Sequence, residues 1–206
     1  MTPPDAPARF DLFTVRDFFD ARECAEIVAE MRAAQGGPAS VYGSSEAGAV
    51  EERVRRVTRV AASRETAESV RRRLAERRGE VERHFGASLG ECEEPQFLRY
   101  RVGDFFVAHQ DGNTPLLRLE RERQRRVSVV IFLNRQSEAI APDAYGGGWL
   151  AFSALPAARL QLAPDAGTLV AFRSETTHEV TPVTHGERYS IVSWYWKSEQ
   201  TKDFGF

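Results

Sequence analysis

The stretch FLRYRVGDFFVAHQD, residues 97–111, contains two runs of β-branched and aromatic residues separated by Gly103 and Asp104. Strand-forming runs on either side of a glycine-containing turn predict two antiparallel strands. Similar runs follow toward the C-terminus: VSVVIFL (127–133), WLAF (149–152), TLVAF (168–172) and YSIVSWYW (189–196). This succession of short strands after residue 95 predicts a β-sandwich or barrel.

The N-terminal part of the chain shows helical patterns instead. Asp20 and Glu23 have the spacing of a capping box, which predicts a helix that continues to about residue 35. Over residues 64–85, apolar residues recur at intervals of four, seven and four, which predicts a long amphipathic helix. The fold class is therefore expected to be α+β, as one domain over residues 1–206, with helical support over about 1–90 and a β core over about 95–200.

Composition narrows the function classes. The 206 residues include 28 Lys and Arg and 30 Asp and Glu, a formal net charge of −2 that gives no overall attraction for nucleic acid. Cys24 and Cys92 lie far apart, so neither a disulfide framework nor a structural zinc site is indicated. The sequence has no apolar stretch long enough to span a bilayer. We expect a cytoplasmic protein without membrane or nucleic-acid partners; its oligomeric state is not indicated.

A histidine and an aspartate two residues apart suggest a metal site. Side chains alternate faces along a strand, so His109 and Asp111 project to the same side. Together with His178, which follows a later strand, they have the composition of the two-His-one-carboxylate facial triad. His84 and His185 have no carboxylate at ligand spacing. Taken alone, the His-x-Asp pattern proves little, because a lone histidine is more often a hydrogen-bonded structural residue and an aspartate before Gly-Asn is more often a turn former.

Arg188 and Ser190 begin the last strand and face the same way, which suggests a site for an anion. A guanidinium at the start of an apolar strand suits a carboxylate that accepts a bidentate pair of hydrogen bonds. Tyr100 could add a phenolic donor from a neighbouring strand. The alternatives are a surface arginine paired with Glu187 and a tyrosine that only packs.

Together these residues resemble the Fe(II)- and 2-oxoglutarate-dependent dioxygenases, most closely their prolyl 4-hydroxylase branch, which includes the oxygen-sensing prolyl hydroxylases. The resemblance covers about residues 97–197. Its markers are YRVG (100–103), HQD (109–111), RRVSVVIFLN (125–134), GGWL (147–150), PDAGTLVAF (164–172), HEVTP (178–182) and RYSIVSWY (188–195).

The resemblance implies a double-stranded β-helix, a distorted jelly roll braced by N-terminal helices. It implies Fe(II) at His109, Asp111 and His178, with 2-oxoglutarate and O2 as cosubstrates and ascorbate in a supporting role. Other metals, namely Mn²⁺, Co²⁺, Ni²⁺ or Zn²⁺, suit the same ligands. Arg188 and Tyr100 would bind the distal carboxylate of 2-oxoglutarate, with Ser190 either assisting or idle. The family's second cosubstrate tyrosine is replaced here by Phe132.

The resemblance also suggests the substrate, a prolyl residue in a peptide or protein. Arg125 and Trp194 are the candidate substrate-binding residues, although Arg125 could equally be a solvated strand end. The apolar neighbours Val129, Ile131 and Ile191 would either wall the pocket or pack in the core. Residues 36–49 are rich in Gly, Ser and Ala and predict a mobile loop; the segment 36–54 is a candidate lid. Two alternatives remain: a free amino acid or other small metabolite as substrate, and a sensor that binds metal or 2-oxoglutarate without turnover.

Overall fold

The structure of the protein is a computed structural model that describes residues 10–38, 54–115, 117, 119–154 and 158–198. Most of the proposed lid therefore lies outside the described residues. Within the described part of the chain, no helix has the length and apolar character needed to cross a membrane.

Two long helices form where the sequence predicts them. Helix α1 (Ala21–Ala33) begins after Asp20, whose side chain accepts from the Glu23 backbone N–H at 2.8 Å, while Glu23 accepts from the Asp20 N–H at 2.9 Å. Helix α2 (Arg64–Phe85) begins after Ser63 and ends at Gly86, which has a left-handed backbone with φ of +58°. The capping box and the bounds of α2 are confirmed.

The remaining described residues form mostly strands. In chain order they are β1 (Leu12–Val15), β2 (Gly36–Pro38), β3 (Arg55–Arg56), β4 (Thr58–Val60), β5 (Leu89–Cys92), β6 (Gln96–Tyr100), β7 (Phe105–His109), then the short helix α3 (Glu120–Arg123), β8 (Arg125–Phe132), β9 (Arg135–Gln136), β10 (Ala144–Gly147), β11 (Leu150–Ala154), β12 (Ala158–Leu162), β13 (Leu169–Arg173), β14 (His178–Val180), β15 (Val183–His185) and β16 (Arg188–Lys197).

The strands form one large sheet and two smaller ones. The large sheet has the order β1-β13-β8-β16-β6-β4-β2, with β5 also paired to β16. A five-stranded sheet has the order β12-β11-β14-β7-β3, and a three-stranded sheet has the order β15-β10-β9. The strands before and after the HQD motif therefore pair with strands distant in sequence, and this pairing assembles the site.

Alternation along β8 and β16 separates the two faces of the large sheet. Ile131 and Ile191 belong to a hydrophobic cluster shared with α1 and α2, whereas Phe132 packs with Phe152 and Phe172 on the side of the five-stranded sheet. On β16, Arg188 lies on the same side as Phe132, because successive side chains alternate between the faces of a strand. The site therefore lies between the two sheets.

Two details differ from the sequence-based expectations, and one open alternative is decided. Helix α1 ends at Ala33 rather than at about residue 35, because Gly36–Pro38 pairs with β4 instead of starting a loop. The N-terminal part also contributes strands to both main sheets, with β1 pairing to β13 and β3 to β7. Of the two alternatives for Ile131 and Ile191, the structure shows packing in the core, on the helix side of the sheet.

Candidate active site

Two strands of the five-stranded sheet bring the three candidate metal ligands together. His109 is the last residue of β7, His178 is the first of β14, and the two lie opposite each other in the antiparallel pair. Asp111 follows His109 by two residues. The nitrogen and oxygen atoms that these three side chains offer lie within 4.8 Å of one another. The structure thus places the predicted triad in one cluster.

Backbone hydrogen bonds orient both imidazoles. Nδ1 of His109 lies 2.8 Å from the carbonyl oxygen of Val107, and Nδ1 of His178 lies 2.9 Å from that of Thr176. A carbonyl can only accept, so Nδ1 carries the proton in each ring and Nε2 keeps its lone pair. The two Nε2 atoms lie 3.3 and 3.4 Å from the Asp111 carboxylate oxygens. Two imidazole nitrogens and a carboxylate oxygen are thus presented to one point.

The surroundings favour the protonation states that a metal needs. Burial, followed by the nearby His109, lowers the pKa of His178 to about 4, so this imidazole is neutral at pH 7. Burial alone would raise the pKa of Asp111, but His178 and His109 hold that pKa well below its usual range. Neutral imidazoles and an ionised carboxylate are the metal-binding forms.

The loop that carries Asp111 is fixed by its backbone. The N–H groups of Asp111 and Gly112 both donate to the Ser174 carbonyl oxygen, at 2.8 and 3.0 Å. The Arg125 guanidinium donates to the Asp111 carbonyl oxygen at 3.3 Å. Asp111 is therefore positioned independently of its carboxylate, which leaves that group free to act as a ligand.

The three candidate metal ligands line a cavity, and Arg188 lines that cavity too. Arg188 is 1% exposed. Its Nη1 donates to Ser190 Oγ at 2.8 Å, while Nε and Nη2 have no hydrogen-bond partner among the described residues. The guanidinium carbon lies 5.1 Å from the ring centroids of both Tyr100 and Phe132. A buried cation with two unused donors fits a carboxylate ligand, because an unpaired buried charge is costly.

Tyr145, which no sequence motif singled out, also lies beside Arg188. Its side chain is fully buried, and its hydroxyl has no hydrogen-bond partner among the described residues. Burial raises the pKa of Tyr145, and the Arg188 charge opposes that rise. A Cβ on Gly148 would lie 3.0 Å from Arg188 and 3.1 Å from the Tyr145 ring, so glycine is needed for this packing.

Arg125 is not the solvated strand end that one interpretation of the sequence suggested. It is 4% exposed, and its Nε and Nη2 donate to the buried Glu93 carboxylate at 2.6 and 2.9 Å. Its guanidinium carbon lies 3.8 Å from the centroid of the Trp194 ring. Both side chains line the cavity, and the Trp194 indole nitrogen has no partner among the described residues. A substrate-binding role for either residue remains a prediction.

Two further charged residues line the cavity and were not singled out from the sequence. Arg55 on β3 lies 4.7 Å from the centroid of the Phe106 ring, which stacks on His109 at 3.6 Å. Glu122 on α3 is 2% exposed. Both stand in charged runs that are typical of solvated surfaces, so no sequence signal distinguished them.

Comparison with known families agrees with this geometry. Residues 95–196 match the family described as the 2OG-Fe(II) oxygenase superfamily. The chain belongs to that superfamily. Membership implies Fe(II), 2-oxoglutarate and O2, for which the His-Asp-His cluster and the Arg188 pocket provide suitable groups.

Curated relatives of this oxygenase include PKHD-type hydroxylases. One from Burkholderia cenocepacia is 37% identical over 112 residues, which is 54% of this chain and 45% of the relative. One from Burkholderia thailandensis is 36% identical over 110 residues, or 53% of this chain and 44% of the relative. The chain thus spans less than half the length of these relatives.

Solved structures extend the likeness to nearly the whole chain. A Pseudomonas putida prolyl-4-hydroxylase has a TM-score of 0.69 at 24% identity, covering 92% of this chain and 94% of that one. A Trichoplax adhaerens prolyl hydroxylase, solved with a hypoxia inducible factor peptide fragment, has a TM-score of 0.66 at 16% identity, covering 91% and 84%. At these identities the likeness establishes the fold, the expected jelly roll.

Proposed function

We propose that the protein is an Fe(II)- and 2-oxoglutarate-dependent dioxygenase that hydroxylates an unactivated C–H bond of a prolyl residue in a peptide or protein. The observation that carries the proposal is that one cavity contains both the His109, Asp111 and His178 cluster and the buried Arg188 with two unused donors. A metal site alone would serve many functions. A metal site beside a buried carboxylate anchor suits 2-oxoglutarate.

In this proposal His109, Asp111 and His178 would hold the iron. Bound iron supplies the oxidative chemistry, coupling the decarboxylation of 2-oxoglutarate to the hydroxylation of substrate. The protein fixes the ligands through the backbone contacts of both imidazoles and of the Asp111 loop. The hydroxylation needs no side-chain acid or base, so His109, Asp111 and His178 serve as metal ligands only.

The carboxylate of 2-oxoglutarate farther from the oxo group would accept from Nε and Nη2 of Arg188, while Nη1 donates to Ser190. Tyr100 and Tyr145 contribute phenolic hydroxyls. Phe132 stands where the family has a second cosubstrate tyrosine, so a hydroxyl is missing there. Tyr145 on β10 replaces it, because the Tyr145 hydroxyl is buried near Arg188 and has no hydrogen-bond partner among the described residues.

Apolar side chains limit the access of water to this region. Leu98, Val130, Leu150, Val180 and Val192 line the cavity around the polar groups. An apolar wall strengthens the charge interaction at Arg188 and protects a reactive centre from side reactions.

A peptidyl prolyl substrate is supported by the named activities of the structural neighbours, one of which was solved with a peptide fragment. The unpartnered Trp194 indole N–H lies in the cavity and offers a donor for a peptide carbonyl. Arg125 positions Trp194 and the Asp111 loop, because its guanidinium stacks on Trp194 and donates to Glu93 and to the Asp111 carbonyl oxygen.

A free amino acid is the second candidate substrate, favoured by the buried carboxylate of Glu122 in the cavity. A sensor without turnover is less well supported, because a binding module has no need for both the triad and the Arg188 pocket.

The test is incubation of the Fe(II)-loaded protein with 2-oxoglutarate, labelled dioxygen and a proteome-derived peptide library, followed by mass spectrometry. The proposal predicts one labelled oxygen on prolyl residues and succinate formation above the rate without peptide. The Asp111→Ala variant is the matched control. Label found only on free amino acids or other metabolites would replace the prolyl assignment by the second candidate.

A further inference from the structure

Glu122 is a buried carboxylate that the proposed reaction does not use. It lines the same cavity as the metal triad and Arg188 and is 2% exposed. Neither of its carboxylate oxygens has a hydrogen-bond partner among the described residues. Acidic side chains are seldom fully buried unless they are paired, so this arrangement needs an explanation.

The backbone places Glu122 next to the metal-ligand loop. Helix α3 packs on Gly112, where an added Cβ would lie 2.9 Å from the Glu122 carbonyl oxygen and 2.4 Å from Arg125 Cβ. Only glycine permits this approach directly after Asp111. The backbone of Glu122 therefore lies next to the residue that follows Asp111. Besides burial, the Asp111 carboxylate contributes to raising the pKa of Glu122.

Among the described residues, neither Arg125 nor Arg121 forms a hydrogen bond with Glu122. Arg125 gives two of its donors to Glu93 and another to the Asp111 carbonyl oxygen. Arg121, which is largely exposed, also pairs with Glu93 at 3.0 Å. Asp111 is a proposed metal ligand and is itself acidic, so it cannot neutralise Glu122. Glu122 thus has no hydrogen-bonded cation among these groups; burial raises its pKa, and the nearby Arg125 charge opposes that rise.

We propose that Glu122 is a specificity residue that binds a cationic nitrogen of the substrate, an ammonium or guanidinium group, beside the C–H bond to be hydroxylated. Such a group would be a positively charged partner for the Glu122 carboxylate and would donate hydrogen bonds to its two oxygens. The inference rests on the proposed function in that it places a substrate in the same cavity.

Two sources provide this chemistry. In a peptide, the cation is a lysine or arginine side chain close to the target residue. In a free amino acid, it is the α-amino group. Acidic substrates are disfavoured from either source, because a second carboxylate beside Glu122 would be repelled.

The experiment measures binding without turnover, with Zn²⁺ in place of Fe(II) and 2-oxoglutarate present. The probes are short peptides with one proline, matched except for lysine, norleucine or glutamate beside it, together with L-proline and N-acetyl-L-proline. Isothermal titration compares the wild type with Glu122→Gln. The matched control is Glu120→Gln, the same substitution at an exposed position of the same helix, where Glu120 pairs with Arg123 on the surface.

The wild type and Glu120→Gln are expected to bind a cationic probe roughly ten-fold or more tightly than its neutral counterpart, and Glu122→Gln is expected to lose this difference. A preference among the peptides identifies a side chain as the source, and a preference for L-proline over its acetyl derivative identifies a free amine. Equal affinities, an unchanged preference in Glu122→Gln, or no binding by any cationic probe would overturn the inference.

Mass spectrometry of the same probes with Fe(II) and labelled dioxygen separates this inference from the proposed function. Prolyl oxidation without a charge preference retains the function and removes the role of Glu122. A charge preference that depends on Glu122, without oxygen on proline, retains that role and removes the prolyl assignment.

Discussion

Replacing Arg188 tests the proposed 2-oxoglutarate anchor most sharply. The Arg188→Ala variant removes the whole guanidinium. The Arg188→Lys variant keeps the charge but removes the planar pair of donors, Nε and Nη2, that are unpartnered among the described residues. If a carboxylate accepts from both atoms, lysine cannot reproduce the contact, because its ammonium is a point charge without the guanidinium fork.

The expected magnitude follows from the burial of the group. Arg188 is 1% exposed, so its charge pair with the cosubstrate would be almost completely desolvated. Removing one partner of such a pair costs about 2–5 kcal/mol, which is roughly a 30-fold to several thousand-fold loss of affinity. Arg188→Lys is expected to fall between the wild type and Arg188→Ala.

The assay is titration of 2-oxoglutarate into the Mn²⁺-loaded protein without oxygen. Arg101→Ala is the matched control, because Arg101 forms a surface pair with Glu187 and its side chain is 60% exposed. Circular dichroism shows whether each variant is folded, and Arg188→Lys keeps the test informative if the alanine variant is not. Wild-type affinity in folded Arg188→Ala and Arg188→Lys would refute the assignment.

Two further predictions concern the metal site and its support. Replacing His109, Asp111 or His178 by alanine should abolish stoichiometric Fe(II) or Mn²⁺ binding with circular dichroism unchanged; unaltered affinity in all three would end the metal assignment. Glu93→Gln should destabilise the protein by about 3–5 kcal/mol at pH 7 in urea unfolding, because it breaks the buried pair with Arg125. Although burial opposes it, Arg125 lowers the pKa of Glu93 below 4.5, so this contribution is present above pH 4.5 and is lost as the pH falls through the lowered pKa. A difference from wild type that persists in acid would contradict this account, and Glu94→Gln, exposed and adjacent, is the control.

Local patterns predicted the parts of the fold that local interactions decide. The capping box at Asp20 and the apolar stripe of α2 depend on neighbours within one or two helical turns, and both helices start where expected. The pairing of β1 with β13 depends on residues more than 150 positions apart, for which a four-residue strand has no local signal. The N-terminal strands were missed for that reason.

The candidate site likewise combines features that neighbouring residues decide with features that distant contacts decide. Alternation along a strand predicts that the side chains of His109 and Asp111 point to the same side of their segment. It predicts the same for Arg188 and Ser190 on the last strand. It does not state which face lines the pocket, so it could not decide that Ile131 and Ile191 face the helices. Glu122 stands in the charged run LERERQRR (119–126), which is typical of a solvated helix face, yet it is buried, and α3 packs on Gly112.

The most direct measurement of the central claim is the conversion of 2-oxoglutarate to succinate under labelled dioxygen, with and without Fe(II), by the wild type and by Asp111→Ala. The proposed function predicts succinate that carries one labelled oxygen atom, formed only with Fe(II) and only by the wild type. Succinate formation that is independent of Fe(II), or equal in the two proteins, would contradict it.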